Sequence, residues 1–189
     1  VVVRTGTAEI GTGHRTGYAS FRHIALAMGR NYGLPPNFET WAGWEEFFER
    51  AQRAGMAESM RDFHWDVRPR PDLGTVELRT MDAQSTIGQS VAFAAFVRAL
   101  ADYFRKTPPE ERPEELPKPL PWWFARENFY EASRLGLEAK YIDAEGRTSP
   151  LKDLARRTIE CARPLAEQRG AGAYVDRVEQ MVDYPGYRR

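Results

Sequence analysis

The stretch 107–121 constrains the fold more than any other, because six of the chain's 13 prolines lie in it. Each proline fixes φ and removes a backbone N–H, so this stretch forms neither a helix interior nor a central strand. Glu110, Glu111, Arg112, Glu114 and Glu115 are interleaved with the prolines and favour water. The stretch therefore reads as a semi-rigid exposed connection. It divides a sheet-bearing part, 1–106, from a helical C-terminal part, 122–189, of the same domain. At 189 residues the chain is long enough to bury a sizeable core.

Lysine plus arginine and aspartate plus glutamate each number 27, so the formal net charge is zero. Binding dominated by nucleic-acid phosphates or acidic lipid calls for a basic surplus, so neither nucleic acid nor membrane is an expected partner. With 42% hydrophobic and 12% aromatic residues the composition is that of a folded chain. The longest apolar run, 91–97, is far too short to span a bilayer. A single cysteine, Cys161, excludes an internal disulfide framework and a cysteine-rich zinc site, and is expected to be buried on a helix. His14, His23 and His64 share no metal-ligand spacing. No charged-then-apolar leader opens the sequence, so a cytoplasmic protein is expected. The opening Val1-Val2-Val3 has no methionine, which suggests a piece of something longer.

Periodicity predicts a helix over 16–28. A second follows Thr40 as N-cap, with Trp41, Trp44, Phe47 and Phe48 on its apolar stripe and Gly55 at its end. Segments 63–68 and 75–82 alternate apolar and polar and are joined by Pro69-Arg70-Pro71-Asp72-Leu73-Gly74, which predicts a β-hairpin with a proline-stiffened turn. A long helix is predicted over 86–106. Its broad apolar face (Ile87, Val91, Phe93, Phe96, Val97, Leu100, Phe104) implies that it is largely buried. Residues 122–135 read as a helix stopped by Gly136, with Trp122 and Trp123 expected in the core. Residues 141–146 read as a short strand into a turn, and Ser149-Pro150 as the start of another helix. A final helix is predicted over 173–182, which makes the fold class α+β.

The hairpin is where chemistry is concentrated. Alternation sets Phe63, Trp65 and Val67 on one face of its first strand and His64, Asp66 and Arg68 on the other. On the second strand Val76 and Leu78 point to the core side, and Glu77 and Arg79 to the polar side. Two registers are open. If Arg68 faces Glu77, then Asp66 faces Arg79, the turn has four residues and the face carries two cross-strand ion pairs. If Arg68 faces Thr75, then Asp66 faces Glu77 across a six-residue turn. Two opposed carboxylates need a cation or an arginine between them. On general grounds a solvated face of salt bridges is the commoner outcome.

The string Trp65-Asp66-Val67-Arg68-Pro69, followed by Gly74-Thr75-Val76-Glu77-Leu78-Arg79-Thr80-Met81-Asp82, resembles the signature of carboxylate–amine ligases of the glutamate–cysteine ligase type 2 family. Arg15-Thr16-Gly17-Tyr18-Ala19-Ser20-Phe21-Arg22 resembles that family's Thr-Gly-Tyr-Ala-Ser-Tyr-Arg run. Glu127-Asn128-Phe129-Tyr130-Glu131-Ala132-Ser133-Arg134-Leu135-Gly136-Leu137 resembles its Glu-Asn…Arg-x-Gly-Leu helix. The three stretches keep the family's order, and the match covers roughly residues 13–184.

This resemblance implies an ATP-dependent ligase built on a glutamine-synthetase-like antiparallel sheet packed by helices. Such enzymes phosphorylate a carboxylate, typically the γ-carboxylate of glutamate, and an amine then displaces the phosphate. ATP and Mg2+ are the implied cofactors, and a glutamate-like carboxylate and an amine the implied small-molecule partners. A homo-oligomeric state stays open. Phosphoryl transfer uses divalent metal held by oxygen ligands, for which Glu77 is the candidate. Arg79, two residues on and on the same face, is the candidate catalytic residue, a bidentate donor to the phosphoryl group. Arg68, Asp66 and Arg134 are candidates for substrate or phosphate binding. Asp66 is read as a metal or amine contact or as the residue that orients the arginines, and His64 as a structural neighbour.

The chain also departs from the family pattern. The upstream half, with its Gly-x-Glu-x-Glu-type strand of metal carboxylates, has no counterpart in these residues. Gly13-His14-Arg15 stands where the family often has Gly-Arg, and Tyr187-Arg188-Arg189 falls short of the usual end. The chain is therefore expected to be the C-terminal portion of such a ligase, incomplete alone. The alternative is a non-catalytic module in which the same half-sheet serves ligand binding or dimerisation.

Overall fold

In the computed structural model, residues 16–82, 84–114 and 116–185 are described. Gly11-Thr12-Gly13, His14, Arg15 and the Tyr187-Arg188-Arg189 tail lie outside them. The described chain forms two units, one of residues 22–81 and a larger one of residues 16–21 and 82–185. The proline-rich stretch lies inside the larger unit.

In the smaller unit, α1 (Phe21–Ala27) is shorter at both ends than the periodicity of 16–28 predicts. Gly17 has φ +77°, which no helix accommodates. The Ala19 and Ser20 amides instead donate to the carbonyls of Arg134 and Ser133 at 3.0 and 2.8 Å, contacts that lie within the larger unit. Helix ends leave carbonyls without intrahelical partners, and this strap satisfies two of them. After β1 (Tyr32–Gly33), the helix α2 (Trp41–Arg53) starts where expected, with the Thr40 hydroxyl accepting from the Gly43 amide at 3.1 Å. Its stripe of Trp44, Phe47, Phe48 and Ala51 packs with Met60, Phe63 and Trp65 into an aromatic core.

The chain then runs through β2 (His64–Trp65), β3 (Val67–Arg70) and β4 (Thr75–Leu78). β2 pairs in parallel with β1, whereas β3 pairs antiparallel with β4. The change of partner at Asp66 interrupts the alternation. Phe63 and Trp65 are buried as expected, but beyond the bend it is Arg68 that is buried (4% exposed). Val67, Val76 and Leu78 are exposed, Val76 at 63%. The inward placement of Val76 and Leu78 is thus corrected. Arg68 stands opposite Glu77 and Arg70 opposite Thr75, so the first register and its four-residue turn are realised. Pro71–Leu73 makes a single 3-10 turn, and Gly74 closes it at φ +62°, a left-handed conformation that favours glycine.

The larger unit is built on α3 (Ile87–Lys106), α5 (Leu151–Glu167) and α6 (Gly172–Asp183), with α4 (Trp122–Leu135) beside the hairpin β5 (Lys140–Ile142)–β6 (Thr148–Pro150). Its core joins Ala92 and Ala99 of α3 to Ile159, Ala162 and Ala166 of α5 and to Val175, Val178 and Val182 of α6. The expected burial of α3 through its large side chains is corrected, since Ile87 is 84% exposed and Val91 and Phe104 are also exposed. The fully buried face of α3 is small, while Phe93, Phe96 and Leu100 pack at its margin. Trp122 and Trp123 are likewise exposed rather than in the core, and Cys161 is only partly buried. Ser149 and Pro150 are strand residues, with Ser149 opposite Tyr141, and α5 begins one residue later. The Asn128 side-chain amide on α4 both donates to and accepts from the Ile142 backbone, each at 2.8 Å, and so acts as an extra strand partner for β5.

The proline-rich stretch is less free than its composition predicts. Leu116 is buried, and Arg112 donates to the Phe104 and Thr107 carbonyls at 2.9 Å each while lying over the Phe104 ring. The described strands form three separate two-stranded sheets, one of them parallel, in place of one antiparallel sheet. Helices and small sheets in one chain define an α+β protein. No helix among the described residues is long and apolar enough to cross a membrane.

Candidate functional site

Four of the five residues singled out by sequence lie on or beside the β3–β4 hairpin. The two-residue period brings Arg68 and Arg70 to one face of β3, with Glu77 across from Arg68, while Asp66 immediately precedes β3 and Arg79 immediately follows β4.

Arg68 is the buried post of this face. Its Nη2 and Nε donate to Glu77 Oε2 at 2.6 and 3.1 Å. Its Nη1 donates to the carbonyls of Phe63 at 2.8 Å, Arg61 at 3.1 Å and Met60 at 3.3 Å. Arg68 therefore fastens the hairpin to the loop ahead of β2. Glu77 also receives Arg70 Nη1 on Oε1 at 2.9 Å, and Arg79 Nη1 stands 3.5 Å from its Oε2. The hydrogen bond from Arg68 holds the Glu77 carboxyl below its ordinary range, with Arg70 adding to the effect and burial opposing it. Arg70 is gripped in turn by Asp72 at 2.7 and 2.9 Å, and this pairing raises its own pKa.

Arg79 is held more loosely. Its side chain is half-exposed, and its contacts to Glu77 and to His64 Nδ1 are 3.5 and 3.3 Å long. Its backbone amide donates to the Asp66 carbonyl at 2.7 Å, but the expected Asp66–Arg79 side-chain ion pair does not form. Asp66 Oδ2 is buried with no hydrogen-bond partner among the described residues. Burial raises the Asp66 pKa, and the charges of His23, Arg22 and Arg79 pull the other way. Arg134 is on α4 in the larger unit, where Glu131 holds it at 2.9 and 3.0 Å.

Sequence reasoning passed over Arg70 because it assigned 69–74 wholly to the turn. The signal was present: in the four-residue-turn register, period two continues from Asp66 through Arg68 to Arg70. Arg22 and His23 carried no such signal, because they reach Asp66 from α1. As for metal, the described residues contain no group of three His, Cys, Asp or Glu side chains that could hold an ion.

On the β3–β4 face the buried Arg68 thus braces Glu77, with the looser Arg79 beside them. Residues 10–188 match the profile of Glutamate-cysteine ligase family 2, and the chain belongs to that family. It is 41% identical over 172 residues to a protein of Trichormus variabilis named "Putative glutamate–cysteine ligase 2", covering 90% of this chain and 44% of that one. A protein of the same name from Thermobifida fusca is 34% identical over 181 residues, covering 95% and 45%. One from Micrococcus luteus is 35% identical over 178 residues, covering 94% and 44%. The chain thus spans a little under half the length of these relatives.

Proposed function

We propose that this chain is part of an ATP-dependent carboxylate–amine ligase that makes an amide through an acyl phosphate. In the first step a carboxylate oxygen of a glutamate-like substrate attacks the γ-phosphorus of ATP and ADP leaves. In the second the amine nitrogen attacks the acyl carbon, the C–O bond to phosphate breaks, and the nitrogen loses a proton. The observation that supports this reading best is Arg79. With Arg68 and Arg70 already neutralising Glu77, the half-exposed Arg79 guanidinium retains its charge and both its contacts are long. A phosphoryl group offers it a better bidentate partner than Glu77 does. Arg68 holds Glu77 and the hairpin in place, and Asp66 presents a buried acceptor suited to the incoming amine.

Mg2+ is part of the same proposal and supplies charge to the ATP phosphates when bound. It typically takes one or two carboxylates plus substrate phosphates. Glu77 fits by chemical type, but both its oxygens accept from arginine here, so no step is assigned to the metal. The exposed Val67, Val76 and Leu78 side chains support placing this hairpin in a wider sheet of the glutamine-synthetase kind. A cytoplasmic setting, where ATP and amino acids meet, belongs to the same reading.

The closed Arg68–Glu77–Arg70 set favours a second reading, a non-catalytic ligand-binding or dimerisation module. Assaying the whole protein that carries this chain with Mg-ATP, glutamate and a panel of amines separates the two. Amine-dependent ADP release, lowered about 100-fold by Arg79→Gln, supports the ligase. Absence of ADP with every amine, cysteine included, refutes it.

A further inference from the structure

The larger unit holds two buried polar atoms in one place with no hydrogen-bond partner among the described residues, the Tyr141 hydroxyl oxygen and Arg157 Nε. Tyr141 is on β5 and Arg157 on α5, and both line a single cavity of about 350 Å³, together with Lys118, Asp143, Arg147 and Leu116. A liquid water occupies about 30 Å³, so this space exceeds what one bridging water would fill. It falls at the lower end of pockets that take small metabolites.

The cavity is lined by three carboxylates, Glu114, Asp143 and Glu145, and three cations, Lys118, Arg147 and Arg157, so its formal charge is zero, but the pairing among them is uneven. Asp143 accepts from Arg147 Nε at 2.7 Å and from the Glu145 and Arg147 amides at 3.0 and 2.8 Å. Glu145 and Glu114 also lean on Arg147, at 3.2 and 3.8 Å. The carboxylates are thus committed to one arginine. Arg157 and Lys118 make no ion pair with the described residues. Burial raises the Tyr141 pKa, and Asp143 and Glu145 raise it further, so the phenol keeps its proton and is a donor. The open hydrogen-bonding valences are donors, the Tyr141 hydroxyl and Arg157 Nε, and Arg157 and Lys118 are the cations of the lining that no carboxylate of the described residues engages. The walls are also preformed: Asn128 clamps the β5 backbone at Ile142, and Ser149 faces Tyr141 across the β5–β6 ladder. Preformed donors lose little freedom when a ligand arrives.

We infer that this cavity binds the oxyanion of a small organic molecule, a carboxylate or phosphate group, through Arg157, Tyr141 and Lys118. The site uses none of the β3–β4 residues, so it stands or falls separately from the ligase reading.

The test titrates the full chain with inorganic phosphate and, separately, with glutarate. It follows heat by calorimetry and the Arg157 Nε–H resonance by NMR. Saturable binding that shifts this resonance is the expected result. Arg157→Gln weakens it by at least about tenfold, and Tyr141→Phe and Lys118→Ala by about threefold each. Tighter binding of phosphate or of glutarate assigns the group. Lys118 is exposed, so its alanine variant reads the site even if the Arg157 variant does not fold. Three results overturn the proposal: no binding of either probe, binding that leaves the Arg157 resonance in place, or affinity that Arg157→Gln and Lys118→Ala do not change. Each would mean that the cavity holds water only.

Discussion

Removing the Arg68 guanidinium is expected to cost the fold about 3 kcal/mol. In Arg68→Ala the carbonyl of Phe63 stays buried without a donor, at a cost of about 1 to 1.5 kcal/mol, whereas that of Met60 keeps the Phe63 amide at 3.3 Å and adds little. The Arg61 carbonyl is only part-buried, so water replaces the lost bond and little is added. Glu77, about a third exposed, keeps Arg70 but loses its closest partner at 2.6 Å, which costs about another 1 to 2 kcal/mol. A total of ~3 kcal/mol is a large share of the ~5 to 15 kcal/mol that holds a typical domain. It corresponds to a drop in Tm on the order of 10 °C. Urea unfolding read by tryptophan fluorescence measures it directly, because Trp44 and Trp65 sit in the adjacent aromatic core. Arg68→Lys should recover about half of the loss, since an ammonium keeps the charge but not the planar fork. A loss below about 1 kcal/mol, or a lysine variant as stable as the parent, would refute the structural role given to Arg68.

Asp66 and Glu77 should show opposite pH signatures. The raised Asp66 pKa means that its contribution to stability is present below the ordinary value of 3.8 and lost as pH rises through the folded value. Asp66→Asn should therefore raise Tm near neutral pH and leave it unchanged in acid, and a lower Tm at neutral pH contradicts this. The lowered Glu77 pKa means that its contribution is present above 4.5 and lost as pH falls through the folded value. Glu77→Gln should then destabilise most at neutral pH, which thermal melts across the pH range check. In the larger unit, burial opposes ionisation of Asp102, and the hydrogen bond and charge of Arg169, at 2.6 and 2.8 Å, outweigh it. Arg169→Gln should cost about 2 kcal/mol in chemical denaturation, and Arg134→Gln, whose partner Glu131 is on the same helix, under about 0.5.

Much of the helical frame was legible from local chemistry. The Thr40 cap and the stop at Gly136 place helix boundaries almost to the residue, because capping is decided within a turn of chain. Errors arose where tertiary pairing overrode local pattern. Residues 16–20 read as helix, but the Ala19 and Ser20 amides are spent on the end of α4. Alternation through 63–68 fails at Asp66, where the strand changes partner, and no local signal marks that bend. The large side chains of α3 suggested a deep burial that its alanines supply instead. In the candidate site the choice of residue types was legible, but the register was not. The burial of Arg68 and the participation of Arg70 followed only once the register was known.

An isotope experiment tests the central claim most directly. The whole protein that carries this chain would be given glutamate labelled with 18O in its γ-carboxylate, together with Mg-ATP and an amine that supports ADP release. An acyl phosphate that collapses on amine attack carries one labelled oxygen from the carboxylate into the released phosphate. The account predicts one 18O per phosphate and none in ADP. Phosphate released without label, or amide formed without phosphate, would contradict it.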